Sequence, residues 1–242
     1  MTAVARRTRV EVVDGNSPAE LAANAESVRE ALDAAGGGFV VTVGGDCGVE
    51  LAPVAEAVRR FGERLVVLWF DAHGDLNTPA SSPSGAFHGM VLRALTGEGH
   101  AELVPALGVA AGRVVLAGAR DLDLGETSFI EAAGVRHLTV GDLTAGSGGG
   151  SAVLGDAIAS AAGDAVVYVH VDLDVLEPSV FGAVGSPAPG GLLPEQLLEL
   201  VRSVAGRFRV VGLGITEYEP GRVEDRELLG PLVEALVKVC AS

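Results

Sequence analysis

The apolar run Leu65-Val66-Val67-Leu68-Trp69-Phe70 leads straight into Asp71-Ala72-His73-Gly74-Asp75. In extended chain, residues at i, i+2 and i+4 project to one side, so Asp71, His73 and Asp75 can converge where the run ends. A second run, Val166 to Val171, leads into Asp172-Leu173-Asp174, with Glu177-Pro178 behind it. One Asp-x-Asp after a strand is ordinarily turn chemistry, capping a helix or accepting loop amides. Two such clusters near one sheet edge gather four carboxylates and an imidazole, which repel one another unless cations lie between them. Carboxylate oxygen with a single imidazole suits magnesium or manganese better than a structural zinc, which favours thiolate and imidazole. Two hard cations bridged by aspartates would lower the pKa of a shared water and supply hydroxide at neutral pH. The residues themselves therefore point to metal-assisted hydrolysis.

The elements that must position these residues are legible from apolar patterning. Val10–Val13, Phe39–Val43, Leu65–Phe70, Val114–Leu116, Val166–Val171 and Val210–Leu213 read as strands, mostly as the continuous apolar runs of parallel strands buried on both faces. Ser17-Pro18-Ala19-Glu20 carries a hydroxyl N-cap, a proline at the first helical position and a carboxylate at the third. That helix is predicted to run to the Gly36-Gly37-Gly38 break. Further helices are expected at Val49–Arg60, His88–Leu95, Ser128–Ala133, Ala152–Ala162, Pro194–Val204 and Asp225–Val239. Ala145 to Ser151 reads as a flexible loop within one domain. Strand–helix alternation predicts crossover units, a parallel sheet and an α/β class, with ligands bound beyond the carboxyl ends of the strands.

Composition narrows the function. The 242 residues carry 17 Lys+Arg against 32 Asp+Glu, a net charge of −15. That balance excludes a nucleic-acid binder or a protein drawn to anionic membranes, both of which need basic surfaces. At 48% hydrophobic and 20% charged, the chain is too apolar for a disordered acidic tail. Two cysteines, Cys47 and Cys240, exclude a disulfide framework and suit a reducing compartment. Met1 to Val10 has arginines without an apolar stretch behind them, so no secretory signal is expected, and no run approaches membrane-spanning length. A cytoplasmic protein is expected.

Gly44-Gly45-Asp46-Cys47, Asp71-Ala72-His73-Gly74-Asp75, Ser84-Gly85-Ala86-Phe87-His88-Gly89-Met90, Asp172-Leu173-Asp174 and Ile215-Thr216-Glu217 stand in the order and approximate spacing of the ureohydrolase family. This family includes arginases, agmatinases and formiminoglutamases, and the resemblance runs from about Phe39 to the C-terminus. It implies a three-layer α/β/α fold with a doubly wound, mainly parallel sheet, two manganese ions, and hydrolysis of a guanidinium group to urea and an amine. By resemblance, Asp71 and Asp172 bridge the metals, Asp75 and Cys47 stand at the first, and His73 and Asp174 at the second. A bridging hydroxide would attack the guanidinium carbon. His88 resembles the proton-shuttling histidine, a task its near-neutral range suits. Glu217 resembles the carboxylate that receives the guanidinium. Arg120 to Glu126 resembles the arginase segment that holds an α-ammonium group, placing that role on Asp123 with Glu126 behind it. Asn77, Thr78 and Ser84 match positions around an α-carboxylate. The family also implies trimers or hexamers.

Several positions depart from the family pattern. Cys47 replaces a histidine, and a thiolate is a soft ligand better matched to zinc, iron or cobalt than to manganese. His170, two residues before Asp172 and on the same side of the strand, offers a replacement imidazole. Ala86 stands where arginases carry an amide, and losing one contact to a charged group costs roughly 1.5–3 kcal/mol. The chain is also expected to lack the family's first strand–helix unit. The resulting expectation is hydrolysis of L-arginine or a close guanidino amino acid. The alternatives are hydroxy-arginine, since the Cys47 variant resembles the hydroxy-arginine hydrolase of cycloserine biosynthesis, another guanidino acid, or a catalytically impaired family member. A mononuclear deacetylase shares the fold but lacks the full Asp-x-His-x-Asp set.

Overall fold

The computed structural model describes residues 6–221 and 223–242, other than the side chain of Ser147. Residues 1–5, the start of the segment read as carrying no secretory signal, lie outside the described residues. The described strands are β1 (Val40–Val43), β2 (Leu65–Phe70), β3 (Val114–Ala117), β4 (Arg136–Leu138), β5 (Val166–Asp172) and β6 (Arg209–Thr216). They form one parallel sheet in the order β1-β6-β5-β2-β3-β4. Every residue of β2 and β5 is buried, which is why both read as unbroken apolar runs.

Helices α1 (Pro18–Ala35), α2 (Leu51–Phe61), α3 (Val91–Leu95), α4 (Leu124–Ala133), α5 (Val140–Leu143), α6 (Gly146–Ala161), α7 (Pro194–Arg207) and α8 (Val223–Cys240) cover the sheet on both sides. One core packs Leu65, Val67, Trp69 and Tyr168 against apolar side chains of α1 to α4. The other packs Val66, Leu68, Phe70, Val167, Val169 and Val171 against α6, α7 and α8. The result is the expected three-layer α/β/α arrangement. No described helix is long and apolar enough to cross a membrane.

Local chemistry explains most boundaries. Ser17 and Glu20 form a reciprocal capping box at the start of α1, Pro18 stands in its first turn, and Gly36 ends it in a left-handed conformation, φ 74°. Two expectations fail. Val10–Val13 forms no strand; it is exposed, and Val13 exchanges hydrogen bonds with the Asn24 side chain on α1 instead. Ala145 to Ser151 is not a loop, because α6 begins at Gly146. Close packing against α5 overrides glycine's poor helix propensity there: a Cβ on Gly150 would collide with the Leu143 carbonyl. Helix α4 begins four residues before the expected Ser128, at Leu124, and the three-residue β4 was not foreseen.

Arg120, just after β3, staples the sheet's carboxyl edge. Its guanidinium donates to the carbonyls of Gly118, Asp174, Val175, Leu176, Ala188 and Pro189, uniting the turns after β3 and β5 with the 188–189 loop. Such a planar fork of donors has no equivalent in lysine. Arg120→Ala is expected to lower unfolding free energy by about 1–3 kcal/mol, since several carbonyls lose their donor. A urea midpoint within error of the parent protein would contradict this.

Candidate metal centre

Chain order reverses between β2 and β5. From β2 the chain winds outward through β3 to β4; from β5 it winds the other way through β6. A crevice opens beyond strand ends at such a switch point. Asp71 leaves β2 there, and Asp172 closes β5 beside it.

Each carboxylate is held by specific donors. Asp71 accepts from the Trp69 indole at 3.0 Å and from the His73 amide at 2.6 Å. Asp172 accepts from the Asp174 amide at 2.8 Å and from the Cys47 thiol at 3.1 Å. Asp174 accepts from the Ala72 amide at 3.0 Å, and its other oxygen lies 3.0 Å from His73 Nδ1. Asp75 is 4% exposed in a left-handed conformation, φ 53°, and its Oδ2 has no hydrogen-bond partner.

Two overlapping sets of potential ligand atoms result. One comprises Cys47, Asp71, His170 and Asp172; the other comprises Asp71, His73 and Asp174. Within each set the atoms lie within 4.8 Å of one another. Asp71 is common to both. The structure thus gathers Cys47, Asp71, His73, Asp172 and Asp174, adds His170, and leaves Asp75 beside the sets but within neither.

The electrostatics of this cluster call for positive charge. Burial, then the neighbouring carboxylates Asp71 and Asp174, push Asp75 and Asp172 well above the usual carboxylate range. Asp174 is raised by burial and by Asp71. Asp71 goes the other way: burial opposes its ionisation, but His73 and His170 outweigh it. Against the cost of its own burial, His73 is raised to about 11 by Asp174 and Asp71. Cys47 is raised by burial and by Asp172, Asp75 and Asp71. Buried carboxylates this close, one with an orphaned oxygen, fit divalent cations as the missing counter-charge.

The remaining predicted residues lie beyond the strand ends, after β2, at the start of α4 and after β6. Glu217 has φ 62°, accepts from the Cys47 amide at 3.3 Å, and lies 3.9 Å from His88 Nδ1. Burial, then Asp46 and Asp174, raise its pKa to about 7. His88 is exposed at the start of a short 3-10 turn before α3. Asn77 is buried, donating to Asp123 at 2.8 Å and accepting from Ser81. The Thr78 amide donates to the same Ser81 hydroxyl. Glu126 is also buried and accepts from the amides of Leu76 and Asp123, tying the loop after β2 to the start of α4. Ser84 is exposed and accepts from the Ala86 amide. Asn77 and Glu126 make these internal ties, while His88 and Glu217 face each other at 3.9 Å.

Two functional neighbours were not singled out from the sequence. Trp69 orients Asp71 and stacks on His170, with centroids 3.5 Å apart; its place two residues before Asp71 was the available signal. Glu50, wholly buried near His170, was signalled by being an acid amid the apolar residues Val49, Leu51 and Ala52.

A doubly wound parallel sheet with buried acidic residues at its switch point defines an α/β protein with a candidate two-cation centre. The chain belongs to the arginase family, whose sequence profile matches residues 3–231. It is 35% identical over 196 residues to the N(omega)-hydroxy-L-arginine amidinohydrolase of Streptomyces lavendulae, covering 79% of this chain and 65% of that protein. It is 40% identical over 161 residues to an arginase of Brevibacillus brevis, covering 64% of this chain and 53% of the relative. The chain therefore spans between about half and two thirds of these curated relatives. Among solved structures, Entamoeba histolytica arginase in complex with L-ornithine aligns with a TM-score of 0.82 at 26% identity, covering 97% of this chain and 81% of that one. Bacillus cereus arginase aligns with a TM-score of 0.81 at 27% identity, covering 93% and 79%.

A pH dependence follows for the metal-stripped protein. Groups raised in the folded state contribute stability that is full below their ordinary pKa and lost as pH rises through the folded value. Glu217 gives a window from 4.5 to about 7, and His73 one from 6.5 to about 11; Asp75, Asp172 and Asp174 share their sign. Within the cluster, Asp71 opposes them. Stripped protein should show a lower urea midpoint at about pH 8 than at about pH 5, and excess Mn2+ at the higher pH should reverse the loss. A midpoint that rises over this interval without metal would count against the account.

Proposed function

We propose that the protein hydrolyses the guanidinium group of L-arginine or a close guanidino amino acid, releasing urea and an amine. The observation carrying this reading is the pair of ligand sets sharing Asp71, with Glu217 and His88 facing each other at the crevice mouth. Membership of the arginase family supports it. Two divalent cations, manganese by family resemblance, would supply counter-charge and activate a water when bound. Asp71, His73, Asp172, Asp174 and Cys47 would hold them, with Asp75 adjacent.

Ionised Glu217 would receive the planar guanidinium through paired charge-assisted hydrogen bonds. Its amide donates to the Gly45 carbonyl at 2.6 Å and its carboxylate accepts from Cys47, so its direction is fixed from both sides. The approaching cation favours the ionised form, countering the burial that raises its pKa. Water adds to the guanidinium carbon, the bond to the amine nitrogen breaks, and His88 delivers the proton that nitrogen needs to leave. Asp123, steadied by Asn77, would accept the α-ammonium, while Thr78 and Ser84 stand near the α-carboxylate. We place the protein in the cytoplasm and expect a homo-oligomer, a trimer or hexamer by family resemblance.

A second reading is hydrolysis of N-omega-hydroxy-arginine. It is favoured by Cys47 and by the 35% identity to the Streptomyces lavendulae amidinohydrolase. A panel of guanidino compounds with Mn2+ present, assayed for urea and hydroxyurea, separates the two. Release of neither product from any compound by cation-loaded protein would refute both. His88→Ala is expected to lower turnover roughly 10²–10⁴-fold with metal content unchanged. Glu217→Gln should lower kcat/KM about 10–100-fold, as expected on losing a charged acceptor; parent-like values would remove Glu217 from substrate binding.

A further inference from the structure

His170 and Glu50 are both fully buried; His170 falls within the first ligand set, and Glu50 behind it has no role in the chemistry above. His170 lies on β5 two residues before Asp172, paired across the sheet with Trp69 on β2 and Gly214 on β6. The Trp69 ring stacks on the imidazole at 3.5 Å with 17° between planes, fixing the ring's orientation. Gly214 leaves room on the other side: a Cβ there would strike the Glu50 carboxylate, which fills that space. The imidazole then has two distinct ends. Nδ1 faces Glu50 Oε2 at 3.6 Å, and Nε2 faces Cys47 Sγ at 3.6 Å. His170 Nδ1 and both Glu50 oxygens lack a well-aligned hydrogen bond, and the Glu50 carboxylate also lies against the buried Tyr168 hydroxyl. Glu50 also ends the same short 3-10 turn that Cys47 opens, so one turn supplies both the thiol and the carboxylate behind the imidazole.

A fully buried acid this close to a ring nitrogen, with only the Tyr168 hydroxyl as a further polar neighbour, is costly unless it orients something. A carboxylate behind a histidine fixes which ring nitrogen keeps its proton and leaves the other as a ligand. We propose that His170, positioned by Glu50, is the imidazole ligand of the first cation site. Cys47, His170, Asp71 and Asp172 then form a thiolate–imidazole–carboxylate site that takes a borderline cation such as Co2+ or Zn2+ in preference to Mn2+. One sulfur and one nitrogen among four donors shift selectivity in that direction. The set of Asp71, His73 and Asp174 has no thiolate and keeps its preference for a hard cation. This inference rests on the reading above that cations occupy the cluster.

The test uses full-length protein stripped of metal and titrated with Co2+, following thiolate-to-cobalt charge-transfer absorption, with Mn2+ binding followed separately by electron paramagnetic resonance. The parent protein should develop the thiolate band and keep it in equimolar Mn2+. His170→Gln should weaken Co2+ binding at the thiolate site by about 10–100-fold, and Glu50→Gln should weaken it in the same direction. Both should leave Mn2+ binding at the second set in place, which also reports that the variants are folded. If His170→Gln unfolds, Glu50→Gln decides alone. Parent-like Co2+ affinity in the folded variants, or displacement of Co2+ by equimolar Mn2+, overturns the inference while leaving the proposed function standing. Absence of any cation binding by the parent protein overturns both.

Discussion

Asp71, Asp75, Asp172 and Asp174 are each at most 4% exposed, and they meet at the ends of two adjacent strands. Mutual repulsion among buried carboxylates is the constraint around which the fold is arranged. Strands β2 and β5 must end side by side to bring the acids together, and they do so where the winding direction reverses. Two apolar layers bury both strands, so the acids sit on rigid supports. Around them, donors are placed with economy: the amides of Ala72, His73 and Asp174 each point at a carboxylate, as does the Trp69 indole. Arg120 holds the turn containing Asp174 through backbone carbonyls, adding no contact that would neutralise the acids directly. What these donors leave uncompensated is charge, which divalent cations would supply.

Much of the fold was legible because it follows from burial. A strand covered on both faces must be apolar throughout, and Leu65–Phe70 and Val166–Val171 carry that pattern without interruption. The capping residues of α1 were equally plain. Less visible were features set by contacts distant in sequence. Glycine-rich Gly146–Gly150 is helical because α5 approaches closely, and nothing in its own composition says so. Val10–Val13 has strand-like residues but no neighbouring strand in the described sheet, so propensity alone could not make it one. The three residues of β4 are too few to display a period.

The candidate site divides in the same way. The Asp-x-His-x-Asp and Asp-x-Asp patterns reveal acids that share a strand end, because alternation is a local property. Asp75 departs from alternation, with φ 53°, yet its buried carboxylate still interacts with Asp71, Asp172, Asp174 and Cys47 beside the two sets. Glu50, Trp69 and Gly214 matter through one another and through His170, across three strands and a turn. Their relation exists only in three dimensions. Asn77 and Glu126, read from the sequence as substrate-binding positions with Glu126 behind Asp123, also hydrogen-bond to loop and helix ends, ties that sequence alone does not display.

Glu126 has a consequence for how such a protein can change over generations. It ties the Leu76 amide, just beyond the acids of the loop after β2, to the start of α4. Beyond that tie, Ser84 and its neighbours occupy an exposed loop held by short-range turns. Substitutions there can alter what the opening accepts while the buried charges keep their positions. The architecture therefore divides into a floor of buried acids fixed by amide donors and an exposed rim held only by short-range turns.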